Sequence, residues 1–177
     1  KESGARYAVL TSKHHDGVAL WDTKQNDLSI VKKTPAARDV IAPLLAALRA
    51  QDVKAGLYFS LLDWSHPDYP NFTGKTKRYE QDSTRWSRFV QFNFGQLEEL
   101  SSRYHPDLFW FDGDWEQSAE QWRAAEIRAK LLQANPQVIL NSRLQGYGDY
   151  ATPEQGLPIT RPKSAWWELC MTMNDSW

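Results

Sequence analysis

The 177 residues carry 21 Lys plus Arg against 22 Asp plus Glu, a formal net charge of −1, with 41% hydrophobic and 24% charged residues. This is the composition of one globular domain long enough to bury a sizeable core, and its balanced charge gives no reason to expect nucleic acid or a membrane surface as partner. No apolar run approaches the ~20 residues of a membrane helix, and the single cysteine, Cys170, excludes an internal disulfide framework or a multi-cysteine metal site.

In chain order, Tyr7-Ala8-Val9-Leu10-Thr11 reads as a short buried strand. Arg38 to Gln51 places Ile41, Leu44, Leu45 and Leu48 on one helical face, with Asp39 positioned to accept from amides of the first turn. Gly56 to Leu61 is a second strand, followed by a long loop containing Pro67, Pro70 and Gly74. Asp82-Ser83 starts a helix running to about Tyr104, with Trp86, Phe89, Val90, Leu97 and Leu100 as its apolar side and Pro106 as its stop. Leu108 to Asp112 is a third strand, Ser118 to Asn135 a third helix, and Val138 to Ser142 a fourth strand. A Gly-rich loop from Gly146 to Pro162 leads to a weaker last strand near Leu169 to Met173.

Alternating strands and helices predict an α/β fold with a parallel sheet, since strands apolar on both sides need cover on both faces. A doubly wound sheet would carry a Gly-rich turn after its first strand, and none is present. Polar residues instead gather at strand carboxyl ends: His14 and His15, Asp63 and Trp64, Asp112, and Arg143. That is the habit of a (β/α)8 TIM-like barrel. About five strands predict an incomplete portion of such a barrel, with residues 1–177 as one partial catalytic domain. The chain starts at Lys1 with no charged-then-apolar leader and stops at Trp177 after Asn174-Asp175-Ser176, so a piece of a longer protein is expected.

The chemistry-bearing residues follow. Asp112, Asp114 and Glu116 alternate as they leave a buried strand; on an extended chain they would point one way and could form an acid–base set. Alternatively Asp114 and Glu116 cap the next helix. A calcium loop fails because Gln117 stands where Gly is required. His14 and His15 suit a polyhydroxyl ligand better than one metal ion, because neighbours on an extended chain face opposite ways. Arg143 closes an apolar strand and must pair or line a cavity, and Asp112 is its natural partner. Glu168, behind Trp166-Trp167, and Glu154 are candidate proton donors. Cys170 reads as core; Tyr58, Trp64 and Trp110 either stack on a substrate or pack inside.

Several segments together resemble glycoside hydrolase family 29, the α-L-fucosidases. They are Thr11-Ser12-Lys13-His14-His15-Asp16-Gly17 with Trp21, Gly56-Leu57-Tyr58-Phe59-Ser60 leading to Asp63-Trp64, and Pro106 to Gly113. Asn141-Ser142-Arg143 and Trp167-Glu168-Leu169-Cys170-Met171-Thr172-Met173-Asn174 follow in the same order. The resemblance implies a retaining exo-glycosidase without cofactor or metal, acting on a fucosylated glycan or fucoside, with a periplasmic, secreted or lysosomal setting. It implies Asp112 as nucleophile and His14, His15, Tyr58 and Arg143 around the fucose, with Trp110 packed beneath and Glu168, or else Glu154, as acid/base.

Two departures stand out. The family usually has Asn-Asp-Arg where this chain has Asn141-Ser142-Arg143. Its first two barrel strands, which bring another pocket His and a Glu-Trp pair, its barrel closure and its C-terminal β-sandwich have no counterpart here. An isolated chain would leave sheet edges open, so it is expected to be either inactive or a homo-oligomer in which a second copy covers them. Two rivals accompany this reading. One is a non-catalytic fucose-binding remnant. The other is a chitinase-like enzyme using Glu116, whose acidic array would begin with Asp where Phe109 stands.

Overall fold

The computed structural model describes residues 1–73 and 76–172. Gly74, Met173, Asn174 and Trp177 lie outside the described residues.

The elements are β1 (Tyr7–Lys13), α1 (Ile30–Lys33), α2 (Ile41–Ala50), β2 (Lys54–Ser60), β3 (Phe72–Thr73), β4 (Thr76–Lys77), α3 (Ser83–Tyr104), β5 (Leu108–Asp112), α4 (Ala119–Trp122), α5 (Ala124–Ala134) and β6 (Ile139–Leu140). Strands β1, β2, β5 and β6 form one parallel sheet in that order. The parallel α/β reading holds. The long loop after β2 is not wholly irregular, because β3 and β4 pair there as a small antiparallel hairpin.

Local chemistry explains the helix starts. Asp39 accepts from the amides of Ile41 at 2.7 Å and Ala42 at 3.3 Å, and Asp82 accepts from the Arg85 amide at 3.0 Å. Helix α3 ends where His105 turns left-handed (φ 46°) just before Pro106. Its buried face carries Phe89, Val90, Leu97 and Leu100 against a core that includes Leu57, Phe59, Phe109 and Phe111.

Three expectations need correction. The single helix over 118–135 is two helices, because Arg123 adopts φ 55° between them. Trp122 accounts for the break: it is buried against Trp86 and Phe89, and its indole donates to the Asp114 carbonyl at 2.9 Å. The fourth strand shrinks to β6. Beyond it the Asn141 side chain takes over the ladder, accepting from the Phe111 amide at 2.8 Å and donating to the Phe111 carbonyl at 2.9 Å. The expected fifth strand is absent among the described residues. Residues near it make isolated bridges instead, Ala151 with Trp167 and Glu154 with Cys170. These bridges swing Glu154 and Glu168 towards the strand ends.

Candidate active site

A cavity of about 540 Å³ opens at the carboxyl ends of the strands. His14 and His15 follow β1, Tyr58 comes from β2, Trp110 and Asp112 from β5, and Arg143 follows β6; all line it, together with Glu154 and Glu168 from the bridged loops. Parallel strands place all their carboxyl ends on one side, so residues far apart in sequence converge there.

Asp112 is 9% exposed and held at both oxygens. Tyr58 Oη donates to Oδ2 at 2.8 Å, Arg143 Nη1 donates to Oδ1 at 3.0 Å, and His15 Nε2 lies 3.7 Å from Oδ2. Burial, and then the Asp112 charge, push the Tyr58 phenol far above its ordinary range, so it remains a proton-bearing donor.

Arg143 also contacts Glu154 through Nη2 and Thr152 Oγ1 through Nε at 3.1 Å, and its guanidinium lies 4.5 Å over the Trp110 ring. Burial opposes its charge, but the bonds to Asp112 and Glu154 outweigh that and raise its pKa. Glu168 accepts from Tyr7 Oη at 2.6 Å and from Trp110 Nε1 at 3.0 Å. Burial and the bond to Glu168 push Tyr7 up to about 12. Rings stack behind this row: His14 on Tyr58 at 5.4 Å, and Tyr58 on Trp110 at 5.5 Å.

His15 Nδ1 is 2.6 Å from Ser60 Oγ, whose single proton is donated to the Leu62 carbonyl at 2.9 Å. That network assigns the proton to His15 Nδ1 and turns Nε2 towards Asp112. Burial, and then His14, lower the His15 pKa against the opposing pull of Asp112.

The alternating carboxylates do not point one way. Gly113 takes φ 80° and ends the extended chain at Asp112; a Cβ there would lie 2.5 Å from Leu62 Cγ. Asp114 accepts from the Gln145 amide at 2.7 Å. Glu116 accepts from Tyr69 Oη at 2.7 Å and pairs with Lys77 at 3.3 Å, outside the cavity lining. Of the three carboxylates only Asp112 lines the cavity, so the chitinase-like arrangement lacks its Glu116 acid there.

Trp64 is 53% exposed and packs on His15 at 5.2 Å without lining the cavity. Sequence reasoning missed Trp115, which is 60% exposed, lines the cavity and meets His15 edge-on at 5.8 Å. Its signal was its place just beyond the Gly113 turn. Cys170, read as core, is half-buried and also lines the cavity. Tyr7, read only as a strand residue, reaches Glu168.

The comparisons with known proteins agree with one another. The family model described as Alpha-L-fucosidase matches residues 1–177. A putative alpha-L-fucosidase of Caenorhabditis elegans is 33% identical over 192 residues, 100% of this chain and 37% of that protein. The tissue alpha-L-fucosidase of Bos taurus is 32% identical over 188 residues, 100% of this chain and 38% of that protein. Alpha-L-fucosidase isoenzyme 1 from Paenibacillus thiaminolyticus superposes with a TM-score of 0.83 at 33% identity, over 96% of this chain and 45% of that one. A Bacteroides thetaiotaomicron enzyme of glycoside hydrolase family 29, solved as a trapped covalent intermediate with 2-fluoro-fucosyl fluoride, gives a TM-score of 0.82 at 34% identity over 96% and 43%. The chain thus spans 37–45% of the length of these relatives, and it belongs to the alpha-L-fucosidase family, glycoside hydrolase family 29.

Proposed function

We propose that this chain carries the catalytic centre of a retaining exo-α-L-fucosidase, on a (β/α)8-like barrel of which it supplies a portion. The observation that carries the reading is Asp112, gripped by Tyr58 and Arg143 in a cavity shared with two histidines and two further carboxylates. The relative trapped as a covalent intermediate with a fluorinated fucosyl fluoride supports the covalent route.

Asp112 attacks the anomeric carbon from one face while a carboxylic acid protonates the departing glycosidic oxygen. Water, deprotonated by that same group, then displaces Asp112 and restores the starting configuration. Glu168 takes the acid/base role in this reading. Glu154 is the alternative, favoured by its sharing of Arg143 with Asp112. His14, His15 and Arg143 bind ring hydroxyls, Tyr58 orients the nucleophile, and an aromatic face formed with Trp110 meets the C5 methyl group. Trp64 borders the site through His15. As nucleophile and acid/base of a retaining enzyme, the pair sits ~5–5.5 Å apart in the reacting complex. The substrate is a fucosylated glycan or fucoside, and a second copy covers the sheet edges.

Turnover of an aryl α-L-fucoside by wild type and Asp112→Gly, each with and without azide, tests the reading. Loss of activity in the variant, with azide restoring it as β-fucosyl azide, is expected. For the acid/base, whichever of Glu168→Gln and Glu154→Gln gives α-fucosyl azide carries the role. Fucose binding without turnover by folded wild type would replace the enzyme with a sugar-binding remnant. Sedimentation at several concentrations reads the second copy.

A further inference from the structure

On the face of the sheet covered by α3 lies a buried charged network that the reaction above does not use. Lys13, the last residue of β1, is 0% exposed. Its Nζ donates to Asn93 Oδ1 of α3 at 3.2 Å and lies 3.5 Å from Asp63 Oδ2, over the Phe59 ring at 4.4 Å and the Phe92 ring at 5.2 Å.

Asp63, also 0% exposed, accepts through Oδ1 from Ser65 N, Ser65 Oγ and His66 N, which fixes the turn after β2. Its Oδ2 accepts no hydrogen bond among the described residues and faces the Lys13 ammonium.

The network reaches the ends of β1, β2 and β5. Asn93 Nδ2 donates to the Leu61 carbonyl at 2.9 Å, and the Leu61 amide donates to the Asp112 carbonyl at 2.8 Å. The Trp64 amide donates to the His15 carbonyl at 2.8 Å. Gly17 packs so closely that a Cβ would fall 2.3 Å from Asp63 Oδ1. Well-packed apolar residues often stabilise such a site as well as a buried ion pair does, so the pair is weak evidence of a stability role and leaves specification of geometry to be tested.

We propose that Lys13, acting with Asp63 and Asn93, is a positioning residue that sets His14 and His15 against Asp112 without touching the sugar. The role rests on the α-L-fucosidase reading of the cavity. Burial pulls the Lys13 amine down from 10.5 to about 8, against the opposing pull of Asp63 and Asp16. The titratable groups around it are Asp16 on its own segment and Asp63 and His66 on the turn after β2, while α3 contributes the uncharged Asn93 and Phe92.

The sign is distinctive. Between about 8 and 10.5 the unfolded chain holds a proton that folded Lys13 has released, so this group adds stability as pH rises. The same deprotonation breaks the ion pair. Activity and stability therefore move in opposite directions through one titration.

The test uses the 177-residue chain as wild type, Lys13→Met and Asp63→Asn. It reads kcat and KM on an aryl α-L-fucoside across pH, thermal unfolding, and nitrogen-15 NMR of the 4 histidine imidazoles. Folded Lys13→Met is expected to lose about 100-fold in kcat/KM, as a displacement of about 1 Å would cause. The His14 and His15 resonances should move while His105, at the far end of α3, stays. Wild type should lose kcat/KM above about pH 8 without a fall in Tm, and Asp63→Asn should shift that midpoint down by about one unit as the counter-charge is removed.

Folded Lys13→Met within about threefold of wild type in kcat/KM, or with unmoved His14 and His15 resonances, overturns the proposal. If that variant does not fold, an unmoved alkaline midpoint in Asp63→Asn overturns it. Wild type without fucoside turnover defeats the proposed function, and the imidazole resonances still decide the positioning role.

Discussion

Asp112 has two donors on its carboxylate, and each can be removed singly. Tyr58→Phe deletes the hydroxyl that donates to Oδ2 while keeping the ring stacked between His14 and Trp110. A hydrogen bond to a charged group contributes about 1.5–3 kcal/mol, so kcat/KM on an aryl fucoside should fall by roughly 10- to 100-fold. Arg143→Met strips the guanidinium from Asp112 and Glu154 together, so a larger loss, on the order of 10²–10³-fold, is expected in the same assay.

His15 adds a pH dependence. Its pKa is lowered by burial, so the folded chain resists the proton that the unfolded chain accepts. Its contribution to stability is complete above the unfolded value of 6.5 and is lost as pH falls through the lower folded value. His66 shifts in the same direction, so His15→Gln should flatten only part of the acid fall in Tm.

At the scale of elements, two side chains replace backbone connections. Asp82 caps α3, and Asp82→Ala should cost about 1 kcal/mol in denaturant unfolding. Asn141 is more demanding. It is fully buried, and its amide satisfies both the N–H and the C=O of Phe111. Asn141→Ala leaves both groups unpaired beside the Asp112 strand end, at a cost of about 2–4 kcal/mol.

These elements also show why the sequence could be read unevenly. Helix α3 was legible almost to the residue, because its cap, apolar stripe and terminal Pro106 are local signals. The break at Arg123 was not, because it follows from packing Trp122 against Trp86 and Phe89. The short β6 was likewise hidden, since its early end depends on an Asn side chain bonding another strand.

Over the whole molecule, β2 and β5 lie inside the sheet while β1 and β6 lie at its ends. Leu57, Phe59, Phe109 and Phe111 on the inner pair are buried almost completely. Hydrogen exchange should therefore be slowest in β2 and β5 and faster in β6, which pairs through only two residues. Faster exchange in β5 than in β6 would contradict this core.

Family membership, the parallel α/β arrangement, the main helix caps and the strand-end placement of His14, His15, Asp112 and Arg143 all followed from the sequence. Their signals lie within a few neighbouring residues or in short motifs. Only the tertiary structure decided which carboxylates share the cavity. Tyr58 meets Asp112 across 54 residues and Tyr7 meets Glu168 across 161, while the φ 80° turn at Gly113 sends nearby Asp114 and Glu116 elsewhere. Such pairings arise when strand ends and crossing loops pack together, so residue spacing alone does not contain them.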